Sequence, residues 1–368
     1  MKVVVIGGGP CGILSSISIK KFHPEYEVIL LEKDKDIGSR IKISGNGRCN
    51  FFNEKLLEEH YSSSFVSPII ANSNKVLELL DEVGYKYYFD EQGRGYPLSE
   101  SSLTFICALK ALLNKYQVKV VTSYLVTSLE ANSENIIINN EIECDRLVLA
   151  IGGISYQNEK LNYNRIVNAL DLLTTKLTPS LSPISVSSFP KELENKRIKC
   201  LAKLLHNNQV IKEEPGEVLF KKDGLSGIVI FNLSAKIARL HLSNYQGYQI
   251  SLDLLPNIDN NELDRLIDLN PSLDHIFIKE IANYVNTFSN PKQSIRDLRF
   301  DIRGIYEFKF SQVTSGGVSL NQLDSSLSLK KDRRIYIGGE FLDVDGDCGG
   351  YNIGFALSSG YQIGKEIK

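Results

Sequence analysis

Met1-Lys2-Val3-Val4-Val5-Ile6-Gly7-Gly8-Gly9-Pro10-Cys11-Gly12 opens the chain, and Val28-Ile29-Leu30-Leu31-Glu32 follows one helix-length later. The apolar run from Val3 to Ile6 reads as a buried parallel strand. Gly7, Gly9 and Gly12 fit G-x-G-x-x-G, and Ile13-Leu14-Ser15-Ser16-Ile17 continues as a helix. Glu32 ends the second apolar run, twenty residues after Gly12. Strand, glycine turn, helix, strand and acid in that order make a dinucleotide-binding βαβ unit. Gly7 permits the tight turn, Gly9 admits a pyrophosphate close to the backbone, and Gly12 lets helix pack on strand. The helix start offers unpaired N–H groups and a partial positive charge to the pyrophosphate. Glu32 points to an unphosphorylated ribose, so to FAD or NAD rather than NADP.

Composition narrows the class. The 368 residues exceed one ordinary domain and suggest two, or one carrying an insert. A hydrophobic content of 42% suffices for a packed core. The net charge of −2 exerts no general pull on nucleic acid or anionic lipid. No apolar run approaches the length of a membrane span. The first strand begins at residue 2, which leaves no room for a cleavable signal and points to the cytoplasm. The six cysteines (11, 49, 107, 144, 200, 348) contain no C-x-x-C pair. That excludes a zinc ribbon and a local redox disulfide, and it reads as reduced thiols. The five histidines lack ligand-like spacing and read as surface or core residues, and no metal site is expected.

Periodicity predicts helices over 74–83 and 103–113, strands over 118–121 and 145–151, and a hairpin pairing 124–129 with 136–138. The texture changes near Pro179. From 184 to 254 it reads as short strands, among them 217–220 and 227–231. Residues 257–286 read as helical, capped by Asp259 and broken at Pro271. Strands return at 298–302, 312–314 and 335–339, and 351–366 reads as a closing helix. Strand–glycine units at both ends with a different texture between them predict one nucleotide-binding domain interrupted by an insert.

Two further loops carry chemistry. Gly38-Ser39-Arg40-Ile41-Lys42-Ile43-Ser44-Gly45-Asn46-Gly47-Arg48-Cys49-Asn50 is rich in donors. It can wrap a pyrophosphate or a flavin ring, with Arg48 supplying charge; it also suits a plain Gly/Asn turn. Asp343-Val344-Asp345-Gly346-Asp347-Cys348-Gly349-Gly350 has a calcium-like rhythm. It lacks the glycine of loop position 6 and the glutamate of position 12, where Gly354 stands. The other reading brings Gly349, Gly350 and a helix start against a flat ligand. There the helix N-terminus would stabilise the charge of a reduced flavin's N1/O2 edge, and Gly350 is expected to permit the close approach.

With these segments the chain resembles the BaiN-like, aminoacetone-oxidase-family FAD-binding oxidoreductases. That family carries the N-terminal fingerprint, a loop like I-S-G-G-G-R-C-N, and G-E-x-L-D-V-D-G-x-x-G-G-Y-N near the C-terminus. Here the loop is Ile43 to Asn50, with Asn46 at the middle glycine, and the second motif runs from Gly339 to Asn352. Weaker echoes lie at 93–99, 224–227 and 313–319, so the resemblance covers essentially the whole chain.

The resemblance implies an α/β fold in which a Rossmann-like FAD-binding domain of glutathione-reductase type is interrupted by an inserted β-barrel and a small helical domain. The expected boundaries are 1–183 with 321–368 for the FAD domain, 184–254 with 298–320 for the barrel, and 255–297 for the helical part. FAD, held non-covalently, would bridge both chain ends. Gly7, Gly9 and Gly12 would take the pyrophosphate, with Pro10 and Cys11 between them, and Glu32 the ribose, next to Lys33. Val126 would lie by the adenine through its backbone, near Ala150, Ile151 and Gly152. Arg48, Cys49, Asn50, Gly349, Gly350, Tyr351, Asn352 and Ile353 would line the isoalloxazine. Arg40, Ser44, Gly45, Asn46, Gly47, Gly339, Glu340 and Asp345 complete the cofactor site.

This sequence departs from the family at 157–164, which replaces a Gly/Asp-rich loop, and at Ile228, where a proline is often found. Both positions can reshape the active-site mouth, so substrate preference is not carried over. The expected function is an FAD-dependent oxidoreductase that moves hydride between flavin N5 and a small organic substrate such as a ketone, enone or amine. No second G-x-G-x-x-G follows a strand, so NAD(P)H as reductant would have to dock transiently. One alternative is an NAD-dependent dehydrogenase using the first site, against which the C-terminal motif speaks. Another is a flavin-binding module acting on a macromolecule. A small-molecule partner is expected, with neither nucleic acid nor membrane. Cys49 is the candidate proton donor if Arg48 and nearby N–H groups lower its pKa; the other reading is a small residue packed beside the ring.

Overall fold

The computed structural model describes residues 1–156 and 160–368; positions 157–159, part of the departure at 157–164, lie outside the described residues. The chain divides into two compact units, Met1–Leu177 with Val313–Lys368, and Thr178–Gln312. These seams stand near the expected 183 and 321, and residues 255–297 lie within the second unit.

The first unit begins with β1 (Lys2–Ile6), α1 (Pro10–Phe22) and β2 (Glu27–Leu31). Val3, Val4 and Val5 are wholly buried, as strands covered on both faces require. Gly7 takes φ +109°, and a Cβ there would lie 2.3 Å from the Ala150 carbonyl oxygen. A three-stranded sheet follows, ordered β3 (Phe52–Asn53), β5 (Arg94–Pro97), β4 (Tyr87–Phe89). The helix α2 (Ser102–Lys115) buries Phe105, Ile106, Leu109, Leu112 and Leu113 at helical spacing. Then come β6 (Lys119–Val121), β7 (Arg146–Leu149) and α3 (Lys160–Ala169). The expected hairpin strand 124–129 is strand only from Leu129. The Asn139 side chain replaces the ladder there, accepting from the amides of Thr127 and Ser128 and donating to Leu125 O.

The second unit is a closed barrel of β8 (Ile184–Val186), β9 (Arg197–His206), β10 (Gln209–Lys221), β11 (Gly224–Ser226), β12 (Tyr248–Asp253) and β13 (Leu298–Ile305). Strands β8 and β13 pair antiparallel and close it. Inward Leu298, Phe300 and Ile302 alternate with exposed residues along β13. One expectation fails here. The apolar run at 227–231 is not a strand but the start of a helix, α4 (Ile228–Arg239). Its buried Val229, Ile230, Leu233 and Ile237 recur at helical spacing, and burial of that face outweighs the β-branched residues' preference for strand. Asp259 caps α5 (Asn260–Leu269) by accepting from Glu262 N at 2.9 Å. That helix ends ahead of Pro271, and α6 (Lys279–Val285) follows.

The chain then returns to the first unit as β14 (Ser328–Leu329), β15 (Asp332–Ile337) and α7 (Tyr351–Glu366). The main sheet runs β14-β15-β7-β1-β2-β6, parallel except for β14. Strands from the two ends of the chain thus sit in one sheet, and α7 lies on α1 at backbone distance. A Cβ on Gly360 would stand 2.4 Å from Cys11 O, and one on Gly364 2.3 Å from Ser18 Cβ. Among the described residues no helix is long and apolar enough to cross a membrane.

The prediction is that Gly360→Val lowers stability by about 3 kcal/mol, the upper end of overpacking costs, whereas Lys365→Ala on the same helix stays within about 0.5 kcal/mol. Thermal unfolding of the apoproteins checks it; equal midpoints would refute this packing.

Candidate functional site

Strands β1, β2, β7 and β15 run parallel, so their C-terminal ends face one crevice, where open α/β sheets hold ligands. Glu32 sits buried at the end of β2. Its carboxylate accepts from Gly8 N at 2.6 Å and from Asp34 N at 2.8 Å, which fixes its orientation. Ser123 N and Tyr124 N donate to Asp34 O and Glu32 O, bringing buried Val126 to the same end. Helix α1 starts without a side-chain cap, and its first internal bond runs from Ile13 N to Gly9 O. The amides of Cys11 and Gly12 are therefore left for a ligand. A Cβ placed on Gly9 or Gly152 would meet nothing within 4 Å, whereas one on Gly12 would lie 1.9 Å from Gly7 O. Gly9 and Gly152 border open space; Gly12 is needed for packing. The Cys11 thiol turns away, against Ser359 Oγ at 3.5 Å, and burial pushes it up to about 11. Lys33 pairs with Asp34 at 3.2 Å.

The loop after β2 turns through Gly45 and Asn46, both left-handed. It is tied to the C-terminal motif by a chain of bonds. The Asn50 amide spans Phe52 O at 3.2 Å and Gly350 N at 3.3 Å, its nitrogen toward the former. Asn53 Nδ2 donates to Gly349 O at 2.9 Å, and Tyr61 Oη to Tyr351 O at 3.0 Å. The His60 ring stacks on Tyr351 at 4.2 Å, with Nδ1 3.5 Å from Asp347. Asn352 closes its own loop through Gly346 N and O. Asp345 accepts from Ser315 Oγ at 3.1 Å, and among the described residues no three acidic, histidine or cysteine side chains converge as metal ligands. In this region sequence reasoning missed Asn53, His60 and Tyr61. Only the nearness of Asn53 to the loop motif hinted at a role.

Three expectations need correction. Gly350 takes φ +90°, and a Cβ there would lie 2.0 Å from Phe52 O. Glycine is required for the two chain ends to meet, ahead of any approach to a ligand. Arg48 is engaged elsewhere: its Nη2 donates to Glu100 at 2.6 Å and to Tyr88 Oη at 3.3 Å, and the guanidinium lies over Tyr96. The Tyr88 hydroxyl and Arg48 hold the Glu100 carboxyl below its usual range. Cys49 is wholly buried, and burial pushes its thiol up to about 12, opposite to the expected lowering.

Glu340 backs the turn after β7. Its Oε1 accepts from Thr314 N at 2.8 Å, and Thr314 Oγ1 accepts from Ile154 N at 2.9 Å. Burial pushes the Glu340 carboxyl up. Arg40 lies over the Tyr156 ring at 5.8 Å. Open space at Gly9 and Gly152, two helix starts without side-chain caps (α1 and α7) and an oriented Glu32 together suit a dinucleotide carrying a flat ring.

Comparison with known proteins agrees with that fit. The family described as HI0933-like protein Rossmann domain matches residues 1–366. The chain is 25% identical to a 3-dehydro-bile acid delta(4,6)-reductase of Clostridium scindens, over 99% of this chain and 98% of that protein. It is likewise 25% identical to a ribosomal RNA dihydrouridine synthase of Haemophilus influenzae, with the same coverage of each. Among solved structures, Escherichia coli quinol fumarate reductase FrdA shares the fold at a TM-score of 0.52 and 12% identity, over 99% of this chain and 69% of that one.

Two glycines with positive φ separate packing from ligand space. Gly350→Ala should cost about 3 kcal/mol or more, since both strain and a backbone clash oppose it. Gly152→Ala should cost the apoprotein only about 1–2 kcal/mol of strain yet weaken FAD binding at least as much as Gly350→Ala weakens folding. Apoprotein melting and flavin-fluorescence titration measure the two. A Gly152→Ala protein with native FAD affinity would contradict the cradle.

Proposed function

The chain belongs to the HI0933-like Rossmann family of FAD-binding oxidoreductases, and on that premise we propose that it reduces a carbon–carbon double bond conjugated to a carbonyl in a small organic molecule. The observation that carries this reading is the full-length likeness to two proteins whose named activities share that bond type. A delta(4,6) unsaturation beside a 3-oxo group is a conjugated dienone. The uracil bond that dihydrouridine lacks is likewise conjugated to a carbonyl.

Bound FAD supplies a two-electron hydride carrier at N5. The rest falls to the chain. Gly7 to Gly12 and the start of α1 would hold the pyrophosphate, and Glu32, oriented by Gly8 N, would take the adenosine ribose. Asn50 and Asn53 lock Gly349 and Gly350 in place, and the start of α7, without a side-chain cap, would offer its partial positive charge to a reduced ring. Reduction of such a bond would place hydride on the carbon β to the carbonyl and one proton on the α carbon, the hydride being the chemistry that bound FAD would supply. Cys49, neutral and packed, is not proposed as its source; water entering the site is. NADH or NADPH docks transiently as reductant and leaves oxidised.

A second reading keeps the chemistry and places the double bond in an RNA uridine. The dihydrouridine synthase relative favours it, and the net charge of −2 weighs against it.

Anaerobic stopped flow tests both readings. The protein, purified with FAD and bleached by NADPH or dithionite, should regain its oxidised flavin band on adding a 3-oxo-4,6-diene steroid or cyclohexenone. Recovery with an unmodified ribosomal RNA fragment alone would move the substrate to RNA. Absence of recovery with any conjugated enone or with RNA, in a flavin that oxygen still reoxidises, would end the reductase proposal.

A further inference from the structure

Arg40 is half-buried, and among the described residues its guanidinium forms neither an ion pair nor a hydrogen bond. It lies over the Tyr156 ring, 5.8 Å from the ring centre. Other cations of the same stretch are engaged or turned elsewhere. Lys33 pairs with Asp34 and Arg48 with Glu100, while Lys35 and Lys42 line a groove against α2 with Leu103 and Lys110. Four relations set Arg40 at the carboxyl ends of the parallel strands. Gly38 N donates to Gly8 O at 2.8 Å, so Arg40 stands two residues from the glycine turn that follows β1. Its charge reaches Asp34, just past the end of β2. Tyr156 lies in the turn leaving β7, four residues after Gly152. The charge also reaches the buried Glu340 carboxyl in the turn after β15. The guanidinium therefore stands at the crevice into which Gly9 and Gly152 open. Tyr156 holds φ +62°, a left-handed backbone that a bulky residue adopts only where its surroundings impose it.

The chemistry of a guanidinium selects the ligand group. It stays charged at every working pH, and its rigid fork of N–H donors matches phosphate oxygens in pairs. Stacking on a ring face holds the plane and leaves its edge free to donate. The start of α1 supplies N–H groups and about half a positive charge, which leaves most of a pyrophosphate's double negative charge unmatched. We infer that Arg40 is the side-chain cation for the pyrophosphate of FAD and that Tyr156 is the positioning residue that holds it there, an assignment that rests on the cofactor reading above. Sequence resemblance put Arg40 among the cofactor residues without a partner and gave Tyr156 no role.

Arg40→Gln keeps polarity and removes the charge. It should weaken FAD binding about 10- to 100-fold, the reach of hydrogen bonds to a charged group, in flavin-fluorescence titration of the apoprotein. Wild-type affinity should fall as sodium chloride rises, and more steeply than that of Arg40→Gln, because salt screens a partly exposed charge pair. Tyr156→Leu should weaken FAD binding about 2- to 5-fold, the worth of an exposed cation–π contact, whereas Tyr156→Phe keeps the ring and the native affinity. The apoprotein melting temperature of Arg40→Gln should stay close to that of the wild type, since the folded chain gives Arg40 no bonded partner. Native FAD affinity in Arg40→Gln, or a salt dependence equal to the wild type's, would overturn the assignment. A melting loss in Arg40→Gln large enough to account for its weaker binding would also overturn it, in favour of a structural role. Native affinity in Tyr156→Leu, or equal losses in Tyr156→Leu and Tyr156→Phe, would overturn the role of Tyr156. Wild-type protein that binds no FAD would defeat the cofactor reading itself, a result distinct from all of these.

Discussion

Everything at this site depends on two helices touching at backbone distance. Gly360 and Gly364 of α7 leave no room for side chains against Cys11 O and Ser18 of α1. That contact sets the end of β15 beside β7 and brings Gly349 and Gly350 to the loop at Asn50–Asn53. The first fifty residues build a dinucleotide turn, but the loop at Asn50–Asn53 meets the C-terminal motif only when the last forty fold onto it. A ligand that spans both halves stabilises the folded state alone, so cofactor binding and folding are linked.

Within the site, burial shapes the ionisable groups more than charge does. The thiols of Cys11 and Cys49 are pushed up by desolvation and are packing atoms. Burial also raises the Glu340 carboxyl. Arg48, the obvious cation of the loop, pairs with Glu100 on the surface. What remains for a cofactor is mostly main chain: N–H groups at helix starts and glycines bordering open space. Such fixed dipoles bind a dinucleotide without burying an unpaired charge.

The parts legible in the sequence were those with local causes. The first βαβ unit, the Asp259 cap and the closing helix Tyr351–Glu366 follow from spacing, turn chemistry and apolar periodicity. Residues 227–231 misled because a short β-branched run suits strand or buried helix equally, and only the residues beyond it show the helical period. Gly350 misled for another reason: its partner, Phe52 O, lies some three hundred positions away in the chain. The roles of Asn53, His60 and Tyr61 are equally non-local, each set by main-chain atoms or a ring of the C-terminal motif. The departure at 157–164 was visible as a difference, but the buried, unpartnered atoms of Asn162 and Tyr163 were not.

The central claim is that one FAD is held by both ends of the chain. It is tested most directly by titrating FAD into a chain ended at Lys331, which lacks β15 and α7 but keeps Gly7, Gly9, Gly12 and Glu32. The account predicts no measurable FAD binding and no cooperative melting, against tight binding and FAD-dependent stabilisation of the full chain. FAD affinity in the shortened chain equal to that of the full one would contradict it.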